Sequence, residues 1–74
     1  MPRYFFHVHD GRDIPDPEGT EFAGLHEARD AAVIALAEAL KDLDGAFWDH
    51  AGEWRMTVND EAGAVVCVLR VSGE

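Results

Sequence analysis

The chain has 74 residues, 47% of them hydrophobic, and its six basic and fifteen acidic side chains give a formal net charge of −9. This length predicts one domain, residues 1–74, and the apolar content predicts a globular fold rather than a disordered chain. The negative charge argues against direct contact with nucleic acid or anionic membranes, and no apolar run approaches the roughly 20 residues of a membrane span.

The first predicted element is a strand at Arg3–His9, rich in aromatic and β-branched residues and followed by an Asp-Gly turn signal. Side chains alternate between the two faces of a strand. We therefore expect Tyr4, Phe6 and Val8 to face the core. The other face of the strand would carry Arg3, Phe5, His7 and His9.

Residues 12–22 are rich in turn signals. Pro15 and Pro17 each lack a backbone N–H, so a long central strand does not fit there. Residues 16–19, Asp-Pro-Glu-Gly, suit a turn. Short extended pieces near Ile14 and at residues 20–22 remain, and either is a candidate edge strand.

Leu25–Leu43 is the one predicted helix, with neither glycine nor proline in the span. Apolar residues recur at the i, i+3 and i+4 spacing of a buried stripe. The stripe comprises Leu25, Ala28, Ala32, Leu36, Ala39 or Leu40, and Leu43. We expect Gly24 to be the N-cap and Gly45 to end the helix. Ile34 lies off the stripe, either as a lone exposed residue or as part of a contact surface.

Two further strands are predicted at Glu53–Asn59 and at residues 64–71, joined by a four-residue hairpin loop that ends at Gly63. The last strand is apolar on both faces, which predicts a central place in the sheet. Phe47 and Trp48 lie in the connector before these strands. They either cover the core or contact a partner.

The predicted fold class is α+β: a small, three- to four-stranded, mainly antiparallel sheet with one helix packed on one face, in the order β-β-α-β-β. The face without the helix would carry Phe5, His7, His9, Thr57, Val66 and Val68. Because a domain this small gains from oligomerisation, we expect these residues to form an interface. The expected assembly is a homodimer formed through this face or through an edge strand.

His7 and His9 have the spacing of two metal ligands on one strand face, with Asp10, Asp13 or His50 as a third. The alternative is a pair of half-exposed histidines on a solvated strand. The acidic residues between Asp10 and Glu21 do not follow the ligand spacing of an EF-hand loop.

Catalytic chemistry is poorly represented in the sequence. Ser72 is the single serine and is close to the C-terminus, Lys41 is the single lysine, and Cys67 falls among valines, where burial silences a thiol. No glycine-rich phosphate loop is present. We therefore expect a non-enzymatic protein without a cofactor. One free cysteine and no export signal predict the cytoplasm.

Four stretches, MPRYFFHVHDG, DPEGTEF, GLHEARDAA and WRMTVNDEAGAVV, resemble a family of short bacterial proteins of unknown function across nearly the whole chain. That resemblance implies no established activity. His7 stands where such sequences often have an acidic or polar residue, so the resemblance implies no metal role for it.

A looser resemblance joins residues 15–19 and residues 27–32 to the antitoxin domain of HicB type, which has a similar turn and helix. It implies an antitoxin-like regulatory protein that binds a basic partner protein, a role with which the charge of −9 agrees.

Overall fold

The computed structural model describes residues 1–43 and 53–73. In chain order the elements are β1 (Arg3–His9), β2 (Asp13–Ile14), β3 (Thr20–Glu21), α1 (Leu25–Leu43), β4 (Glu53–Asn59) and β5 (Val65–Ser72). The backbone N–H of Ala28 donates to the carbonyl oxygen of Gly24 at 3.2 Å, so Gly24 is the N-cap, as predicted. Gly45, Phe47, Trp48 and His50 lie outside the described residues.

The described residues form one helix and a five-stranded antiparallel sheet, so the fold is α+β and the predicted fold class is confirmed. The strand order is β2-β1-β4-β5, and β3 pairs with β1 at the end away from β2. The sheet has more strands than predicted because both short pieces of the turn-rich segment pair with β1, one on either side of the prolines.

The core lies between α1 and one face of the sheet. Its buried residues are Tyr4, Ala28, Ala32, Trp54, Met56 and Val58. Ala28 and Ala32 are fully buried, and their small side chains bring the helix close to the sheet. Phe22 packs on Tyr4 and Phe6 with ring centroids 6.2 and 5.8 Å apart. Leu25, predicted in the buried stripe, is 39% exposed because it lies at the first residue of the helix.

Strand β5 is an edge strand, so the predicted central place is wrong. Within the described residues it pairs only with β4. A β-bulge also shifts its alternation, because Val58 is opposite Cys67 while the next residue, Asn59, is opposite Val65. Val66 consequently packs against the core cluster, and its predicted place on the helix-free face passes to Val65.

Candidate functional site

The face of the sheet without the helix is built from three cross-strand rows of side chains, and we call it the open face. The strand register sets the rows, each running from β1 through β4 to β5. They are His9–Arg55–Arg70, His7–Thr57–Val68 and Phe5–Asn59–Val65. The predicted residues Phe5, His7, His9, Thr57 and Val68 do share this face.

The chain's own turn segment, residues 10–19, lies against the β1 part of the open face. Asp13 Oδ1 is 2.7 Å from Nδ1 of His9. The backbone N–H of Asp16 donates to Nδ1 of His7 at 3.1 Å. Gly19 lies against Phe5, since a Cβ atom at Gly19 would be 2.9 Å from the Phe5 ring. Phe5, His7 and His9, three of the four outward side chains of β1, are thus each contacted from within the chain.

Asp16 organises this segment through its carboxylate. Oδ2 accepts the backbone N–H of Phe6 at 3.2 Å, and Oδ1 accepts that of Gly19 at 3.1 Å. Gly19 has a φ of 69°, and a Cβ there would be 2.7 Å from the carbonyl oxygen of Tyr4. Only glycine fits without movement of the backbone. Arg3 completes the turn by donating to the carbonyl oxygen of Glu18 at 2.8 Å.

These contacts give the two histidines different chemistry. Nδ1 of His7 accepts a hydrogen bond, so neutral His7 carries its proton on Nε2. His9 directs Nδ1 at a carboxylate, which leaves its Nε2 lone pair available, as in metal-binding histidines. His7 would have to give up its bond from Asp16 before Nε2 could ligate a metal. The described residues contain no group of three or more side chains placed to hold a metal ion.

A groove of about 360 Å³ runs over the open face between β2 and β4. Its polar lining comes from His7, His9, Asp13, Arg55, Thr57 and Asn59. Its apolar wall comes from Ile14, Pro15 and Val65.

Three of the residues on this face were not singled out from the sequence. Arg55 and Arg70 are directly opposite each other, and among the described residues neither is paired with a carboxylate. Oδ1 of Asn59 is buried without a hydrogen-bond partner. Period-two alternation could have placed Arg55 and Asn59 beside Thr57. It could not have paired the two arginines, since that depends on the register between β4 and β5.

The other predicted residues stay apart from the groove. Cys67 is partly buried and packs against the core cluster, opposite Val58. His26 and Asp30 are 3.4 Å apart on the exposed side of α1. Ile34 is 61% exposed on the helix.

Comparison with known proteins identifies the family of the chain but no activity. Neither the curated proteins nor the solved structures gave a match. Within the described residues, no helix is long and apolar enough to cross a membrane. A family model described as a domain of unknown function (DUF6894) matches residues 3–72, and the chain therefore belongs to that family.

Proposed function

We propose that the protein is a non-enzymatic interaction module that self-associates, and that two copies meet through the outer edge of β5. The observation that supports this most directly is the strand itself. It is eight residues long and has no partner on its outer side among the described residues. Unpaired N–H and C=O groups along an edge strand are a template for pairing with another chain.

The side chains of β5 favour the same role. Val65 is 58% exposed and Val68 is 42% exposed, so apolar surface borders the free edge. Antiparallel pairing of two β5 strands across a twofold axis would join the two sheets and bury both valines. The closed β1 side of the sheet offers no comparable edge, because β2, β3 and Asp16 already occupy it.

The contact surface in this proposal is narrower than the interface predicted from the sequence. Phe5, His7 and His9 are already contacted by residues 10–19, and Val66 packs against the core. Val68 is the residue of the predicted interface that borders the free edge. An edge contact therefore fits the side-chain environment better than packing of two whole open faces, which would also bury Arg55 and Arg70 against a second pair.

The two other hypotheses have less support. In the turn that carries the HicB-type resemblance, both oxygens of Asp16 accept backbone hydrogen bonds within the chain, so this carboxylate is not available to a basic partner protein. A metal site that uses both histidines would break the bond between Asp16 and His7. The HicB-type resemblance and the metal site stay predictions.

The test is the molar mass of the protein in solution, measured by size-exclusion chromatography with light scattering across micromolar concentrations. A salt concentration of about 0.15 M screens charge repulsion beyond about 8 Å. We expect the mass of a dimer for the unmodified chain. Val68→Lys places a charge beside the edge and should give a monomer, because charged side chains block edge pairing.

Ile34→Lys is the matched control. It makes the same kind of change at a residue that is 61% exposed on the helix, away from β5, and should leave the dimer intact. A monomer at every concentration of the unmodified chain would refute self-association. A dimer that persists in Val68→Lys would refute the β5 edge as the contact.

A further inference from the structure

We propose that the groove on the open face binds a small organic acid. Its carboxylate would lie at Arg55, its apolar middle against Ile14, Pro15 and Val65, and a hydroxyl or N–H group at Asn59. The groove lies over β1, β2 and β4 and reaches Val65 of β5, the strand whose outer edge forms the proposed dimer contact. The two proposals therefore share Val65, but their failures are distinguishable, because the molar mass reports self-association and the probe reports binding to the groove.

Basic residues of the row His9–Arg55–Arg70, the cationic row, lie at one end of the groove and favour an anionic ligand. Arg55 is directly opposite both His9 and Arg70 on the same face of the sheet. Like charges directly opposite each other in a sheet are destabilising. The chain has fifteen acidic side chains for six basic ones, yet none of the described carboxylates pairs with either arginine. Arg55 lines the groove and Arg70 lies beside it, so an anion bound at Arg55 would reduce this repulsion. The guanidinium fork matches a carboxylate.

The nearby acidic groups leave this end of the groove free for an anion. Asp13 is the one carboxylate lining the groove, and it contacts His9 from β2, the strand on the far side of β1 from Arg55. Glu53 precedes Arg55 by two positions on the same face and forms no ion pair with it. The excess positive charge therefore lies on β4 and β5.

His7 supplies a hydrogen-bond donor next to the cationic row. Because Nδ1 of His7 accepts the Asp16 N–H, the proton of the neutral ring is on Nε2. No described group accepts a hydrogen bond from that nitrogen. The bond from Asp16 thus holds His7 as a donor in the lining of the groove, beside Thr57 on the neighbouring strand.

At the end of the groove away from Arg55, the ligand would donate a hydrogen bond to Asn59. Asn59 lines this end, and its Oδ1 has no hydrogen-bond partner among the described residues. Because that atom is buried, a donor on the ligand reaches it only when the side-chain amide turns toward the groove. Asn59 and Arg55 are four positions apart on one strand, so their Cα atoms are about 13 Å apart. Ile14, which is 41% exposed, lies on the β2 side of the groove, and Val65, which is 58% exposed, lies opposite Asn59 on the β5 side. A volume of about 360 Å³ suits a small molecule.

The probe for this proposal is 3-(4-hydroxyphenyl)propionate, which carries a carboxylate, an apolar ring and a hydroxyl donor in that order. We expect it to shift the backbone amide NMR signals of β1, β2 and β4 in the ¹⁵N-labelled chain. A dissociation constant of about 1–5 mM is expected for so small a probe. The matched alcohol, 3-(4-hydroxyphenyl)propan-1-ol, lacks the carboxylate and should bind at least about tenfold more weakly.

Arg55→Gln should weaken binding of the acid at least about tenfold. The variant is expected to stay folded because it relieves the repulsion from Arg70. Arg70→Gln gives a second test at the same row, with an expected loss of several-fold. Arg29→Gln, on the exposed side of the helix, is the control and should bind the acid like the unmodified chain.

Three results with the probe and the variants would each overturn the proposal, and a fourth comes from competition with phosphate. They are equal binding of the acid and the alcohol, unchanged binding in both Arg55→Gln and Arg70→Gln, and signal shifts confined to residues outside the groove. Inorganic phosphate that competes fully with the probe at equal concentration would also overturn it, because the site would then bind a bare anion rather than an organic acid.

Discussion

The outer edges of β1 and β5 differ in how far the chain itself covers them. Along the outer edge of β1, β3 pairs with Arg3 and Tyr4, Asp16 accepts the Phe6 N–H, and β2 pairs with Val8 and His9. The outer edge of β5 has no such cover in the described parts of the chain. Residues 10–21 close one edge against strand addition, whereas no described residue pairs with the other edge.

The two parts of the sheet also differ in whether their polar groups have partners within the chain. On the β1 side, the carboxylate oxygens of Asp16 and the backbone groups near it satisfy one another within the chain, whereas Oδ1 of Asp10 is buried without a hydrogen-bond partner among the described residues. On the β4 and β5 side, two arginines and one amide oxygen on the open face lack partners among the described residues. Satisfied polar groups stabilise a fold, while unsatisfied ones are places where a ligand gains binding energy. The contacts of Asp16 are therefore structural, and the unpaired groups of β4 and β5 are those to which a ligand in the groove would bind.

Gly19→Ala should have the largest destabilising effect on the covered outer edge of β1. An alanine at this position would strain the backbone, because φ is 69°. Its Cβ would also clash with the carbonyl oxygen of Tyr4, at a distance of 2.7 Å. Together these should lower the free energy of unfolding by about 3–4 kcal/mol, most of what so small a domain possesses. Urea denaturation followed by tryptophan fluorescence measures the loss.

Gly63→Ala is the matched control for that substitution. Its φ is 86°, but no atom lies within 4 Å of the new Cβ. Only the strain of the left-handed backbone then contributes, about 1–2 kcal/mol. Equal losses in the two variants would show that the close packing of Gly19 on β1 does not matter.

Asp16→Ala should have the next largest effect. It removes both carboxylate acceptors and leaves the N–H groups of Phe6 and Gly19 without protein partners. We expect a loss of about 2–3 kcal/mol in the free energy of unfolding. Asp13→Ala is the control at an 86% exposed side chain and should cost about 0.5 kcal/mol or less. Similar losses for both would contradict the role given to Asp16.

Glu21→Ala should have the smallest effect on the closed edge. The ion pair between Glu21 and Arg3 spans 3.0 Å, but its side chains are 53% and 39% exposed. Such a pair contributes about 0.5 kcal/mol or less, and salt weakens it further. The midpoint of urea unfolding should therefore barely move. A large shift would mean that an ion pair, rather than Asp16 and Gly19, closes the edge.

The sequence was informative wherever a local period governs the structure. Alternation correctly assigned Tyr4, Phe6 and Val8 to the core side of β1, and the helical stripe correctly placed Ala28 and Ala32. The span of α1 follows from the absence of glycine and proline between Gly24 and Gly45. These features depend on residues close together in the chain.

Local sequence patterns could not predict the register between strands or which strand lies at an edge of the sheet. Nothing in residues 64–71 signals the bulge that turns Val66 to the core, since the bulge depends on how β5 meets β4. The apolar faces of β5 predicted a central strand, although the same composition also suits an edge that a partner covers. The contact of Asp16 with His7 requires the turn to fold back beside β1, which no periodicity reports.

The pairing of β1 with β4 has a consequence for the folding pathway. Phe5 and Asn59 are opposite each other although more than fifty positions separate them in the chain. The β1–β2 and β4–β5 hairpins close over short loops, whereas joining them requires a long loop closure with a greater entropic cost. Because the groove has one wall on each hairpin, it exists only after that late step. A groove able to hold a ligand is therefore a marker of completed folding.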